Sequence, residues 1–151
     1  DGRLVQRPAP EIESLRSDSP NAAFRLSGDV PADLAPRDLG SMAELELTLD
    51  PGASGRAGLW LRRGANDQRG APIVWDGREL EVAGVKVPTP AAGSLKLRVF
   101  LDHSLLEVFA ADGSLCVTRV IEARPADDRW AAILSAGARL EGRTWRLEGI
   151  W

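Results

Sequence analysis

The run from Ser94 to Ile121 constrains the fold more than any other part of the chain. Leu95, Leu97, Val99 and Leu101 alternate with Lys96, Arg98, Phe100 and Asp102. A period of two puts alternate side chains on opposite sides of an extended backbone, so the segment predicts a strand with one face in a core. Asp102-His103-Ser104 breaks the run with residues that suit a tight turn. A second strand follows, with Leu106 and Val108 on one face and Leu105, Glu107 and Phe109 on the other. Ala111-Asp112-Gly113 is the clearest hairpin signal, because Gly takes positive φ without steric cost. Leu115 to Ile121 predicts a third strand, and the three form an antiparallel meander.

The rest of the chain repeats this grammar. Asn21 to Gly28 predicts a strand, with Phe24 and Leu26 bracketing Arg25, and Asp29 to Gly40 a loop punctuated by Pro31 and Pro36. Met42 to Asp50 sends Ala43, Leu45, Leu47 and Leu49 inward and Glu44, Glu46 and Thr48 outward. Its Glu, Leu and Ala content favours helix, but the unbroken period of two decides for strand. Ala57 to Arg63, Ile73 to Trp75 and Glu79 to Val82 predict further strands, the last two joined through Asp76-Gly77. Val85 to Pro90 reads as a short strand or a loop. Trp130 to Ser135, Ala138 to Leu140 and Thr144 to Trp151 predict three more strands. Trp145, Leu147 and Trp151 share the core parity of the last one, whereas Trp60 and Trp75 have no clear place. With 15 Gly and 10 Pro spread between such runs, the expectation is an all-β, two-sheet antiparallel β-sandwich of the concanavalin or lectin-like jelly-roll kind.

Two prolines in Asp1–Pro10 favour an extended path, and Pro10-Glu11-Ile12-Glu13-Ser14-Leu15-Arg16 has the charge order of a single helical turn. Residues 21–151 read as one domain, and residues 1–20 as a linker to it or a tail packed on its edge. At 151 residues the chain can bury about two thirds of its unfolded surface without a disulfide or a metal. A net charge of -3 argues against a nucleic-acid or anionic-membrane partner. The single cysteine, Cys116, falls in a predicted strand and reads as a small buried apolar side chain; it fixes no compartment. No apolar run reaches membrane-spanning length. The chain opens on Asp1 rather than Met, and it is expected to be a processed or excised piece of something longer.

The central run also carries a likeness. Leu97-Arg98-Val99-Phe100-Leu101-Asp102-His103-Ser104, then Glu107-Val108-Phe109, Asp112-Gly113 and Thr118, resembles the C-terminal β-sandwich of glycoside hydrolase family 32, the invertases, levanases and inulinases. His103 stands where that family usually has Arg. Leu4-Val5-Gln6-Arg7-Pro8 with Glu11 to Arg16 is similar to the family's linker, and the closing Ile150-Trp151 to its C-terminus. The resemblance implies an N-terminal β-propeller as partner, and catalytic acids on that propeller in Asn-Asp-Pro-Asn, Arg-Asp-Pro and Glu-Cys motifs. Here Asn66-Asp67 is followed by Gln68, Arg37-Asp38 by Leu39, and Cys116 follows Leu115. By that carry-over the chain holds no catalytic residue, and no cofactor is implied.

The residues agree from their own side. One His and one Cys cannot build a metal cluster, and Asn66-Asp67-Gln68 and Asp127-Asp128 are too sparse for a calcium loop. Asp102-His103-Ser104 has the residue types of a hydrolytic triad, but neighbours in one turn cannot place a base between nucleophile and orienter. A glycosidase needs two carboxyls flanking a sugar bond, about 5 Å apart for retention and more for inversion. Asp102 and Glu107 can approach across their turn, yet the resemblance puts the acids elsewhere. What remains is binding. Arg98, Phe100, Asp102, Glu107 and Phe109 share one strand face and combine aromatic rings with groups that bond hydroxyls. They are the candidate carbohydrate site, and the resemblance implies fructan or fructose as ligand. The plainer reading is that Asp102 caps its turn and Glu107 pairs with Arg98 or Arg119. Three functions compete: a stabilising module of a β-fructosidase, a fructan-binding module, and a lectin-like adhesion sandwich.

Overall fold

The computed structural model describes residues 2, 4–17, 19–29, 37–64 and 70–148. Twelve strands follow in chain order: β1 (Ala22–Ser27), β2 (Arg37–Asp38), β3 (Met42–Asp50), β4 (Ala57–Arg63), β5 (Ala71–Trp75), β6 (Glu79–Val82), β7 (Val85–Pro88), β8 (Leu95–Asp102), β9 (Leu105–Ala110), β10 (Leu115–Val120), β11 (Arg129–Leu134) and β12 (Arg139–Arg146). They form two six-stranded antiparallel sheets, in the orders β1-β12-β3-β8-β9-β10 and β2-β11-β4-β5-β6-β7. The expected two-sheet sandwich is present, and the central meander is β8-β9-β10.

Alternation decides which residues meet between the sheets. Leu45, Leu49, Leu95, Val99, Leu101, Leu106, Val108 and Leu140 of the first sheet are fully or almost fully buried. They face Leu59, Leu61, Ile73, Trp75, Leu80 and Val82 of the second. Each such side chain contributes about 1.5–3 kcal/mol on leaving water. Trp75 is completely buried, and its Nε1 donates to Gly93 O at 2.8 Å. Phe24 of β1 packs on Trp130 of β11, with ring centroids 4.7 Å apart. Trp60, half-buried, lies on the outer face of the second sheet, opposite Ala131 and Pro72.

Three expectations are corrected. The segments expected as separate strands near Ala138–Leu140 and Thr144 are one strand, β12, running through Gly142, because β3 pairs with it without interruption. Trp145 does not face the core. Leu140 and Thr144 point inward, so Trp145 is buried on the outer face, beside Glu44. A two-residue strand, β2, pairs with β11 inside the expected 29–40 loop. The expected helical turn is present: Pro10–Leu15 is a 3₁₀ helix, its missing proline donor falling at the first turn. Residues 150 and 151, and the Asn66-Asp67-Gln68 loop, lie outside the described residues.

Residues 4–16 cross the outer face of the first sheet as a strap. Gln6 N donates to Gly113 O at 2.8 Å, which ties the strap to the β9–β10 turn. A Cβ at Gly113, which has φ +89°, would stand 2.3 Å from Gln6 O, so the close approach requires glycine here. At its other end Arg16 bridges to Leu147, and Glu148 N donates to Leu15 O at 2.9 Å.

Candidate functional site

Strand register lays the outer face of the first sheet out in rows. One row is Trp145, Glu44, Phe100, Glu107 and Thr118; the next is Arg143, Glu46, Arg98, Phe109 and Cys116. Beyond it lie Arg25, Glu141, Thr48 and Lys96. The strap lies over the Trp145, Glu44 and Phe100 end of the first row, while Thr118 at the other end stays exposed. Glu44 is completely buried, Trp145 is 6% and Phe100 8% exposed.

Glu44 is the centre of an ionic clasp. Arg16 grips its carboxylate with two hydrogen bonds, Nε at 2.8 Å and Nη2 at 2.6 Å, and Arg98 Nε adds a third at 2.5 Å. Arg16 also reaches Glu46 at 2.9 Å and lies over the Trp145 ring, 4.1 Å from its centroid. Arg98 pairs with Glu13 of the strap at 3.0 Å. Burial pushes the Glu44 carboxyl up, but the hydrogen bonds from Arg16 and Arg98 outweigh it and the net displacement is downward. The hydrogen bond to Glu44, with the Glu44 charge and the bond to Glu46 behind it, raises Arg16 against its burial. A buried carboxylate is tolerable only when it is paired and its lone pairs are filled.

The second and third rows stay open and form the floor of a groove of about 1190 Å³, with the strap as one wall. Of the residues read as a carbohydrate face, Arg98 and Phe109 line this groove. Phe100 lies beneath the strap and meets the Phe109 ring edge-on, centroids 6.0 Å apart and planes at 86°. Asp102 sits ~13 Å further along β8 than Arg98, exposed and hydrogen-bonded to His103 Nδ1 at 2.8 Å. Glu107 accepts from the Thr118 hydroxyl at 3.3 Å rather than pairing with Arg98 or Arg119. Neither carboxylate lines the groove. Among the described residues no three His, Cys, Asp or Glu side chains gather as a metal site.

Several members of this face were not singled out from sequence: Arg16, Glu44, Glu46, Arg143 and Trp145. Alternation marks Glu44 and Glu46 as outward, but nothing local says that a segment some thirty residues upstream covers one of them. On the second sheet, Arg62 is 4% exposed, with Nη2 donating to Arg124 O at 3.2 Å. Burial pulls its guanidinium down, opposed by the charges of Asp127 and Asp128.

Comparison with known proteins decides what this sandwich is. The family described as "Glycosyl hydrolases family 32 C terminal" matches residues 11–138. The chain belongs to glycoside hydrolase family 32. It is similar to the raffinose invertase of Escherichia coli, with 34% identity over 161 aligned positions, 97% of this chain and 32% of that protein. It is also similar to the levanase of Bacillus subtilis (strain 168), with 28% identity over 79% of this chain and 20% of that protein. The fold matches exo-inulinase from Aspergillus awamori with a TM-score of 0.82 at 17% identity, over 99% of this chain and 33% of that one. It matches sucrose-6-phosphate hydrolase from Lactobacillus gasseri with a TM-score of 0.74 at 23% identity, over 100% of this chain and 32% of that one. The chain thus spans a third or less of these family 32 proteins. It corresponds to the C-terminal module of the family.

Proposed function

We propose that this module serves a family 32 enzyme that cleaves fructosyl bonds, and that it supports a catalytic propeller preceding the strap. The observation that carries the reading is the clasp at Glu44. It fastens residues 10–16 to the sheet with three ion pairs, Arg16 to Glu44 and Glu46 and Glu13 to Arg98, and the Glu44 carboxylate at its centre has no solvent exposure. A chain entering through such a strap arrives with its direction set, so a preceding domain would be held against the sandwich rather than tethered loosely. The likeness to an invertase and a levanase supports sucrose-type and fructan-type bonds as the substrate class. In this reading the acids that break the bond lie outside these residues.

The test is the full-length gene product, intact and with residues 21–151 deleted. Sucrose and levan hydrolysis and the temperature of half-inactivation are measured on both. The expected result is an enzyme that loses activity at lower temperature without the sandwich. Unchanged activity and heat resistance would refute the supporting role, and release of fructose by residues 1–151 alone would refute the non-catalytic assignment.

A further inference from the structure

We infer that the groove between the strap and the outer face of the first sheet is a binding site for a neutral oligosaccharide. The floor crosses β9, β8, β3, β12 and β1, four strand spacings or ~19 Å, long enough for several linked sugar rings. Three arginines and three glutamates of its lining are paired. Arg143 Nη2 lies 2.6 Å from Glu46, Arg25 Nε 2.7 Å from Glu141, and Arg98 Nη2 3.0 Å from Glu13. A guanidinium has five N–H donors and a carboxylate about four lone-pair sites, so each pair keeps bonding capacity toward the groove. A polyanion placed here would meet Glu13, Glu46 and Glu141, and a cation would meet the three arginines. A neutral ligand with many hydroxyls uses both signs at once.

Phe109 supplies the apolar element. It is half-buried in the row beside Arg98, and its ring is braced edge-on by Phe100. A braced ring presents a flat face to the C–H side of a sugar without an ordering cost at binding. The groove follows from geometry alone; the choice of fructan as the sugar rests on the function proposed above.

The experiment titrates the ¹⁵N-labelled 151-residue chain, which carries its own two-sheet core, with levan and inulin oligosaccharides and, separately, with maltooligosaccharides. The expected result is fructan-dependent amide shifts at Arg98, Phe109 and Arg143. Phe109→Ala and Arg143→Ala should each weaken binding about tenfold, and Lys86→Ala, on the second sheet, should leave it unchanged. Arg143 is 57% exposed, so its variant tests the site even if Phe109→Ala fails to fold. Shifts at these residues with maltooligosaccharides alone would uphold the groove and overturn fructan as its ligand. No shifts with either sugar at millimolar concentration, or binding insensitive to both variants, would overturn the groove.

Discussion

At the scale of single residues, Glu44 shows how position outweighs residue type. Its place in β3 is an outward one, where a glutamate ordinarily sits in water. Here the strap removes all of its exposure, and Arg16 and Arg98 replace the lost hydration. Removing one side of a buried pair leaves the other charge uncompensated, so Glu44→Ala should destabilise the chain by about 3 kcal/mol in urea unfolding. Arg16→Ala combined with it should cost less than the two single changes added together. The pH dependence has a definite sign. The Glu44 carboxyl is displaced downward on folding, so its contribution is complete above the unfolded value and disappears as pH falls through the folded one. Urea midpoints measured from about pH 7 to about pH 3 should fall less steeply for Glu44→Ala than for the parent chain. Equal acid slopes would remove Glu44 from the account.

At the scale of the element, most strands were legible because one face of each is buried. Met42–Asp50, Ala57–Arg63 and Glu79–Val82 have the predicted bounds, their inward leucines and valines matching the period of two. β12 was not legible as one strand, because Glu141-Gly142-Arg143 reads as a break. Its continuity comes from neighbours on both sides: β1 and β3 each pair through Gly142. The glycine is required by packing. A Cβ there would stand 2.7 Å from both Leu47 Cδ2 and Phe24 Cζ. Gly142→Ala should therefore destabilise by about 1–3 kcal/mol in thermal or urea unfolding, with no change in strand content by circular dichroism. A neutral outcome would mean that Leu47 and Phe24 yield more readily than a packed core allows.

At the scale of the whole molecule, the strap gives one wall to what would otherwise be a plain sheet face and so makes it a groove. Its deletion should leave a folded sandwich, since the main core lies between the sheets and not beneath the strap. A chain beginning at Ser17 should unfold cooperatively, with a lower urea midpoint and faster amide exchange on β3 and β12; loss of cooperative unfolding would show the strap to be part of the core. The division between the two levels of information follows from range. Alternation and turn chemistry act between residues a few positions apart, so the order of side chains already specified an all-β chain, the inward set of most strands, and the shared face of Arg98 and Phe109. The burial of Glu44 and the union of Glu46 with Arg143 depend on segments 28 and 97 positions apart in the chain. No local pattern encodes such pairings. They arise when the folding of two sheets brings distant strands into register and the strap settles across them.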